Sequence, residues 1–466
     1  MTAVRQQPAK FVTGSTLKHV VVMTATGSVG LIAIFVVDAL NLFYISMLGV
    51  SELAAAVGFA STLLFFTISV AIGFTIACSA LVSRCLGRGN RTEAAEMAGA
   101  SMVITGGITA LLAIAVWPFL SQLVGLMGAK GVTHDLATRF MQIVLPSTPI
   151  LALGMCTTGI LRGAGDARRA MYVTLSSGIA AAALDPLFIF GFGLGLDGAA
   201  IANVLVRVVM LAVGLHGAVK VHRLIRLPNL HRLAQAAKPF FAIGPPALLT
   251  QVATPVRNVY VTYQGAHFGD AAVAGWAIIG RIVPVAFGVI FALSGAVGPI
   301  LGQNYGARRY DRLMGTMRDS LLVTVVYVSV VWALLAIFAS PIATLYGAEG
   351  LAREMIIFFC HFAAGSFLFN GAIFVASAAF NNLGFPTYST VFNWGRSTLG
   401  VIPFVWAGGT YYGANGVIAG WGLGAVVFGV LSVIVCFRVI RRMTARSAVE
   451  TEAAEEPPAP PPSAQS

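Results

Sequence analysis

Stretches of about 20 apolar residues with few charges recur along the whole chain, separated by short polar or glycine-bearing breaks. They fall near 19–45, 53–80, 97–119, 137–161, 171–193, 199–219, 239–265, 272–301, 319–341, 354–380, 388–409 and 416–437. Each is long enough for an α-helix to cross roughly 30 Å of hydrocarbon. The pattern predicts an all-α integral membrane protein with twelve transmembrane helices.

The pattern is also written twice. SRCLGRGNRTEAAE at 83–96 and GQNYGARRYDRLMG at 302–315 each bring an apolar helix to small residues, a glycine and a basic loop. Gly87 pairs with Gly306, and Gly165 in LRGAGDARR pairs with Gly384 in FNNLGFPTY; both separations are 219 residues (306 − 87 and 384 − 165). Leu48-Gly49 with Phe268-Gly269, and Gly198 with Gly416, keep this offset within one residue. A constant offset across half a chain marks an internal duplication, here two homologous six-helix lobes. An even number of helices per half returns the chain to its starting side, so both lobes share one orientation about an axis along the membrane normal. The expected divisions are an N-terminal segment (1–18), an N-lobe (19–219), a basic connector (220–238), a C-lobe (239–437) and a tail (438–466).

Composition agrees: 58% of residues are apolar and 10% charged, with a mean hydropathy of +0.86, where soluble domains carry roughly 25% charged residues. The net charge of +12 would suggest nucleic acid if it were clustered on a soluble face. Instead Arg5, Lys10 and Lys18, then Arg84, Arg88 and Arg91, then Arg162, Arg168 and Arg169 fall on one side of the topology. The connector, the loop at Arg308, Arg309 and Arg312, and the stretch from Arg438 to Arg446 join them, whereas the opposite loops offer little beyond Lys130, Arg139 and Arg353. The charge is a topology signal: the basic side is cytoplasmic, both termini are inside, and the expected location is the inner (plasma) membrane. The five cysteines lack a C-x-x-C pair, so neither a disulfide framework nor a metal site follows. The first apolar run is too long for a cleaved signal and stays as the first helix. From about Ser447 the acidic, proline-rich tail is expected to be disordered.

An ionisable group at membrane depth costs at least about 2.5–3.5 kcal/mol and needs a partner or a task. Two acids stand there, Asp38 in the first helix and Asp185 in the fifth, both in the N-lobe. Asp38 and Asn41 share a helix face. Pro186 removes a backbone donor next to Asp185, so the fifth helix is expected to hinge beside the acid, and Asn203 in the sixth helix extends the polar cluster. Burial and mutual repulsion both favour the neutral carboxyl, which lets such a pair load a proton near neutral pH. The plainer reading holds both acids by serines, threonines and backbone. Asp319, beside Arg318, reads as solvated. In the C-lobe Arg257, Arg281 and Arg396 lack an acid in the same half, and Arg207 in the N-lobe is similar. Snorkelling or capping of carbonyls accounts for arginines near helix ends, but Arg257, in TPVRN deep in the seventh helix, is expected to hold an anionic group of a substrate or a lipid phosphate. His267 and His361 lack partners at metal-ligand spacing and read as helix-end or packing residues. GFGLG at 191–195 has no preceding strand and no Walker lysine follows any glycine run, so ATP hydrolysis is not expected.

ALVSRCLGRGN at 80–90, GILRGAGDARRAMYV at 159–173, LDPLFIFGFGLGLDGAAIANV at 184–204 and GPILGQNYGARRYDR at 298–312 resemble the multidrug and toxic compound extrusion (MATE) family over nearly the whole chain. Within it the chain looks most similar to the DinF-like branch. The resemblance implies twelve helices in two lobes around a central cleft, a monomer without organic cofactor, and export of a small molecule by alternating access driven by inward proton or sodium flow. It places the coupling site in the N-lobe. The family's fifth-helix acid falls on Asp185; its first-helix N-x-x-D reads Asp38-Ala39-Leu40-Asn41, with acid and amide exchanged; its fifth-helix Asn is Ala181 and its sixth-helix Thr is Asn203. Losing an oxygen ligand to Ala181 weakens a sodium site and favours protons. The implied substrate positions are Met155, Thr158 and Thr174, beside apolar Ile34 and Val37, which suits a hydrophobic or amphipathic compound.

The leading expectation is a proton-coupled exporter. The same fold could serve as a flippase for a lipid-linked precursor or a sodium-coupled metabolite exporter. A membrane transferase or hydrolase would need a nucleophile with a base or a metal set, which neither histidine supplies. Duplicated broken helices with acids on one side suit a carrier better than a channel.

Overall fold

The computed structural model describes residues 9–48 and 51–455, which are helical throughout apart from short connections; Gly49 of the repeat lies outside them. In lipid every backbone N–H and C=O must be satisfied within its own segment, so apolar runs of this length become helices. The N-lobe comprises α1 (Thr16–Ser46), α2 (Ser51–Gly87), α3 (Arg91–Val116) with α4 (Leu120–Leu126), α5 (Gly131–Val144) with α6 (Thr148–Gly163), α7 (Ala167–Pro186) and α8 (Gly195–Leu215). The C-lobe comprises α9 (Leu230–Ala266), α10 (Asp270–Gly306), α11 (Tyr310–Ile337) with α12 (Ala339–Leu345), α13 (Gly350–His361) with α14 (Phe367–Leu383), α15 (Pro386–Ser397) and α16 (Ile402–Glu455).

Ten described segments are long and apolar enough to cross a membrane. Two details bring the number of crossings to the expected twelve. The hydropathy of α9 is lowered by Pro239, Pro245, Pro246 and Pro255 and by its polar first turns, yet it packs along α2 as a continuous rod. The segment 386–447 contains two crossings, because Gly413 (φ 64°, ψ −151°) turns the chain within α16 in a conformation essentially restricted to glycine.

The duplication reappears as geometry. Ser51 and Asp270, Arg91 and Tyr310, Leu120 and Ala339, Gly131 and Gly350, Thr148 and Phe367, and Ala167 and Pro386 open corresponding helices, each pair at the offset found for the glycines. The left-handed backbone positions follow the same offset. Gly165 (φ 81°) matches Gly384 (φ 99°), and Gly89 (φ 77°) matches Arg308 (φ 56°), where the second copy tolerates the strain without a glycine.

The lobes meet at their basic ends. There α1 packs on α10 and α9 on α2, a pseudo-twofold exchange, while the last turns of α2 and α10 touch directly. A Cβ on Gly87 would lie 2.1 Å from the carbonyl oxygen of Gln303, and one on Gly306 2.1 Å from that of Arg84. Small residues at crossings of membrane helices permit this backbone-to-backbone approach.

Two expectations, for Asp319 and for the tail, need correction, and the N-terminal segment takes a fixed place. The N-terminal segment is docked: Phe11 is 1% exposed, its N–H donates to Gln303 Oε1 (2.9 Å), and its carbonyl accepts from Asn304 Nδ2 and Arg312. Asp319 accepts a hydrogen bond from Thr16 Oγ1, which ties α11 to the start of α1 where a solvated carboxylate was expected. The tail is helical through Glu455, because α16 carries its hydrogen-bonding ladder past the last apolar turn; residues 456–466 lie outside the described part. The connector lies against the N-lobe, where Arg226 N–H bonds Ala95 O (3.1 Å), Arg232 pairs with Glu96 (3.3 Å) and His222 with Asp166 (2.8 Å).

Candidate functional site

The N-lobe acid site is assembled by close contact between α1 and α7. Gly30 faces Thr174, and Gly178 lies against Ala33 and Val37, so neither helix holds the other away with bulky side chains. The run AAAALDP ends α7, and after Pro186 the helix widens into a single π turn over Leu187–Gly191. The missing N–H of proline and its ring clash one turn back account for the change at this point. Asp185 is thereby presented to α1 at the end of regular α-helix. Asn41 Nδ2 donates to Asp185 Oδ2 at 2.9 Å. Asp185 is 3% exposed and takes part in no ion pair among the described residues. Just beyond, Tyr44 meets Phe190 edge to face at 6.2 Å, closing apolar surface over the pair.

The remaining candidates fall as follows. The backbone of Asp38 belongs to α1, one turn before Asn41; its side chain lies outside the described residues. Asn203, in α8, has a buried Oδ1 without a hydrogen-bond partner among the described residues. A buried unsatisfied amide oxygen costs about 1–3 kcal/mol, which marks a position able to accept a donor. Met155 packs with Leu151, Val173 and Met210. Thr158 is buried and bonds back to Gly154 O (3.1 Å), and Thr174 bonds back to Met171 O (2.9 Å). Thr174 also lines a cavity no larger than a water molecule between the lobes, with Met23, Gly27, Arg162, Met171 and Ala292.

The arginines separate. Arg281 is exposed, and Arg207 caps the end of α5 through Val144 O (3.2 Å) and Ser147 Oγ (2.9 Å). Arg396 does not snorkel, and among the described residues it caps no backbone carbonyl, contrary to expectation. It is 1% exposed and donates to Asn370 Oδ1 (2.6 Å) and Asn393 Oδ1 (3.3 Å). Arg257 is buried against the indole of Trp421, 5.5 Å from the ring centroid. Sequence reasoning missed Asn370 and Asn393. The only signal was the spacing of Asn393 and Arg396, three apart on one helix face. The five cysteines are buried and free.

Outside the membrane-spanning segments, Asp166 anchors the connector. Burial would push its carboxyl up, but hydrogen bonds from Arg169 N–H, His222 and the Arg169 side chain outweigh this and hold it at about 2.

The model of the MatE family matches residues 28–187 and 246–406, once per lobe and in register with the duplication. The FAD transporter of Shewanella oneidensis is 28% identical over 428 residues, covering 90% of this chain and 93% of its own length. The multidrug export protein MepA of Staphylococcus aureus is 25% identical over 409 residues, covering 85% and 87%. Among solved structures, the MATE transporter VcmN of Vibrio cholerae in its bent form superposes with a TM-score of 0.87 at 24% identity, covering 92% of this chain and 98% of that one. A MOP superfamily transporter from Pyrococcus furiosus gives 0.87 at 22% identity, covering 94% and 99%. Two six-helix lobes, a duplicated boundary and a family match spanning both halves lead to one assignment: the chain belongs to the MatE family and is a MATE transporter, not an enzyme.

Proposed function

We propose that the chain is a proton-coupled exporter of amphipathic organic compounds, with Asp185, Asn41, Asp38 and Asn203 as the proton site and Pro186 as the hinge. One observation carries this reading. Among the described residues, this carboxyl at membrane depth is met by a neutral amide and by no cation. Such a group changes charge with small changes in its surroundings, as a coupling site requires. Ala181 supplies no ligand where a sodium ion would need a further oxygen, which favours protons over sodium. Protonation from the outer side neutralises the site, the wide turn after Pro186 lets α7 and α8 repack, and substrate is released. Loss of the proton on the inner side restores the substrate-binding form. Coupling needs only that proton and substrate prefer different conformations. Met155, Thr158 and Thr174 would face substrate in the form that opens the gap between lobes. The basic end is read as cytoplasmic, in the plasma membrane, with the monomer as the working unit.

MepA, named for multidrug export, and the FAD transporter support organic cargo. Proteoliposomes with separately imposed pH and sodium gradients test the reading. A pH gradient alone is expected to drive uptake of a fluorescent drug, and correctly inserted Asp185→Asn protein to lose that response by at least about tenfold. Drive by sodium alone, or full activity of Asp185→Asn, would refute it.

A further inference from the structure

We propose that Arg257 and Arg396 form an anion site inside the C-lobe that takes an oxyanion, the carboxylate or phosphate of a ligand. Arg257 is 8% exposed, its Nε is buried without a hydrogen-bond partner among the described residues, and the Trp421 ring is its aromatic neighbour. Arg396 is 1% exposed, and its Nε is likewise buried and unbonded. α9 and α15 pack side by side, with Thr250 Oγ1 3.4 Å from Ser389 Oγ and Trp394 Nε1 donating to Leu249 O at 3.0 Å, and Arg257 and Arg396 follow Thr250 and Ser389 by the same two turns on these neighbouring helices.

The surroundings are built to hold cation, not to neutralise it. Asn393 Nδ2 donates to Ser377 Oγ and to Ser389 O, both at 2.9 Å, which turns its Oδ1 towards Arg396. Asn370 Nδ2 donates to Ser366 O at 3.3 Å and presents its own Oδ1 in the same way. No Asp or Glu occurs in α9, α14 or α15, or in α16 before its last turns beyond Arg446. Two desolvated positive charges without a counter-charge are strongly unfavourable, and planar guanidinium forks match carboxylate and phosphate oxygens. An anion between them removes the conflict.

The duplication sharpens this assignment. Arg257 stands within one residue of the repeat position of Asp38 (257 − 38 = 219, where the adjoining Gly49 and Gly269 give 220), and Trp421 occupies that of Asn203 at the offset of 218 shown by Gly198 and Gly416. The two copies thus carry opposite charge at one equivalent place. The proposal stands apart from the N-lobe coupling reading, because it needs only C-lobe residues and is read out as binding.

The test is thermal unfolding of the full chain in lipid nanodiscs at constant ionic strength, titrated with inorganic phosphate, with FAD, or with riboflavin, which shares the ring system and lacks phosphate. The parent is expected to gain roughly 3–5 °C saturably with phosphate or FAD and nothing comparable with riboflavin. Arg257→Gln should abolish the gain, and Arg257→Lys, which keeps the charge and loses the fork, should need about tenfold more ligand. A gain with FAD exceeding that with phosphate assigns the site to the anionic group of a carried compound; a gain with phosphate alone assigns it to a free inorganic anion. A parent with no saturable response to either overturns the proposal whatever the variants do. So does an equal response in the parent and in whichever of the two variants folds.

Discussion

Gln303, near the end of α10, reaches across the lobe boundary and donates through Nε2 to the carbonyl of Gly163, the last residue of α6, at 2.7 Å. Its repeat counterpart Arg84 does the same in the other direction: Nε donates to Asn382 O and Nη2 to Asn381 O, both at 2.9 Å. These bonds satisfy helix-end carbonyls that would otherwise be orphaned. They hold the basic end closed, so opening this end must break both sides of the pair. Gln303→Ala and Arg84→Ala should each cost the closed form about 1–3 kcal/mol. Spin-label distances between the basic ends of α2 and α10 are expected to show a larger open population in both variants; distributions unchanged from the parent would remove the latch from the account.

The glycines beside the latch make a separate prediction. A methyl at Gly87 or Gly306 would sit 2.1 Å from a backbone oxygen of the opposite lobe, and backbone cannot rotate aside as a side chain can. Gly306→Ala should cost the closed form about 1–3 kcal/mol by overpacking while leaving each lobe intact. Cross-linking between cysteines placed on the two lobes at this end should slow several-fold. Normal cross-linking would mean the helices separate at no expense.

Phe11 is clamped by groups from α10 and α11, while Lys10 Nζ bonds Gly165 O of the N-lobe at 2.7 Å. The segment therefore straddles the boundary, and Phe11→Ala should remove about 3–5 kcal/mol of burial from it. Hydrogen exchange should then show residues 9–14 losing protection ahead of the neighbouring helices. Retained protection would mean that the polar bonds alone seat the segment.

Asp166 predicts a pH dependence with a definite sign. In the folded chain its carboxyl is held at about 2, below the ordinary aspartate value of 3.8. A depressed acid contributes stability above the unfolded value and loses it as pH falls through the folded one. Asp166→Asn should lower stability at neutral pH by about 1–2 kcal/mol, discounted for the group's partial exposure. The gap between parent and variant in melting temperature should close between about pH 4 and pH 2. A gap that persists unchanged to pH 2 would assign the loss to packing.

Much of this molecule is legible from the chain alone. The apolar runs and the repeat of Gly87 at Gly306 and Gly165 at Gly384 determine the helices and the lobes, because lipid imposes length and internal hydrogen bonding on any spanning segment. The isolation of Asp185 beside Pro186 was visible for the same reason, since charge is rare at that depth. Tertiary structure decided what periodicity cannot encode. Asn41, rather than a cation, meets Asp185; Asn370 and Asn393 enclose Arg396; Phe11 crosses from one lobe to the other. Hydropathy ranks residues by their preference for lipid, whereas these contacts depend on which faces of distant helices meet, and that is settled only when both lobes have packed.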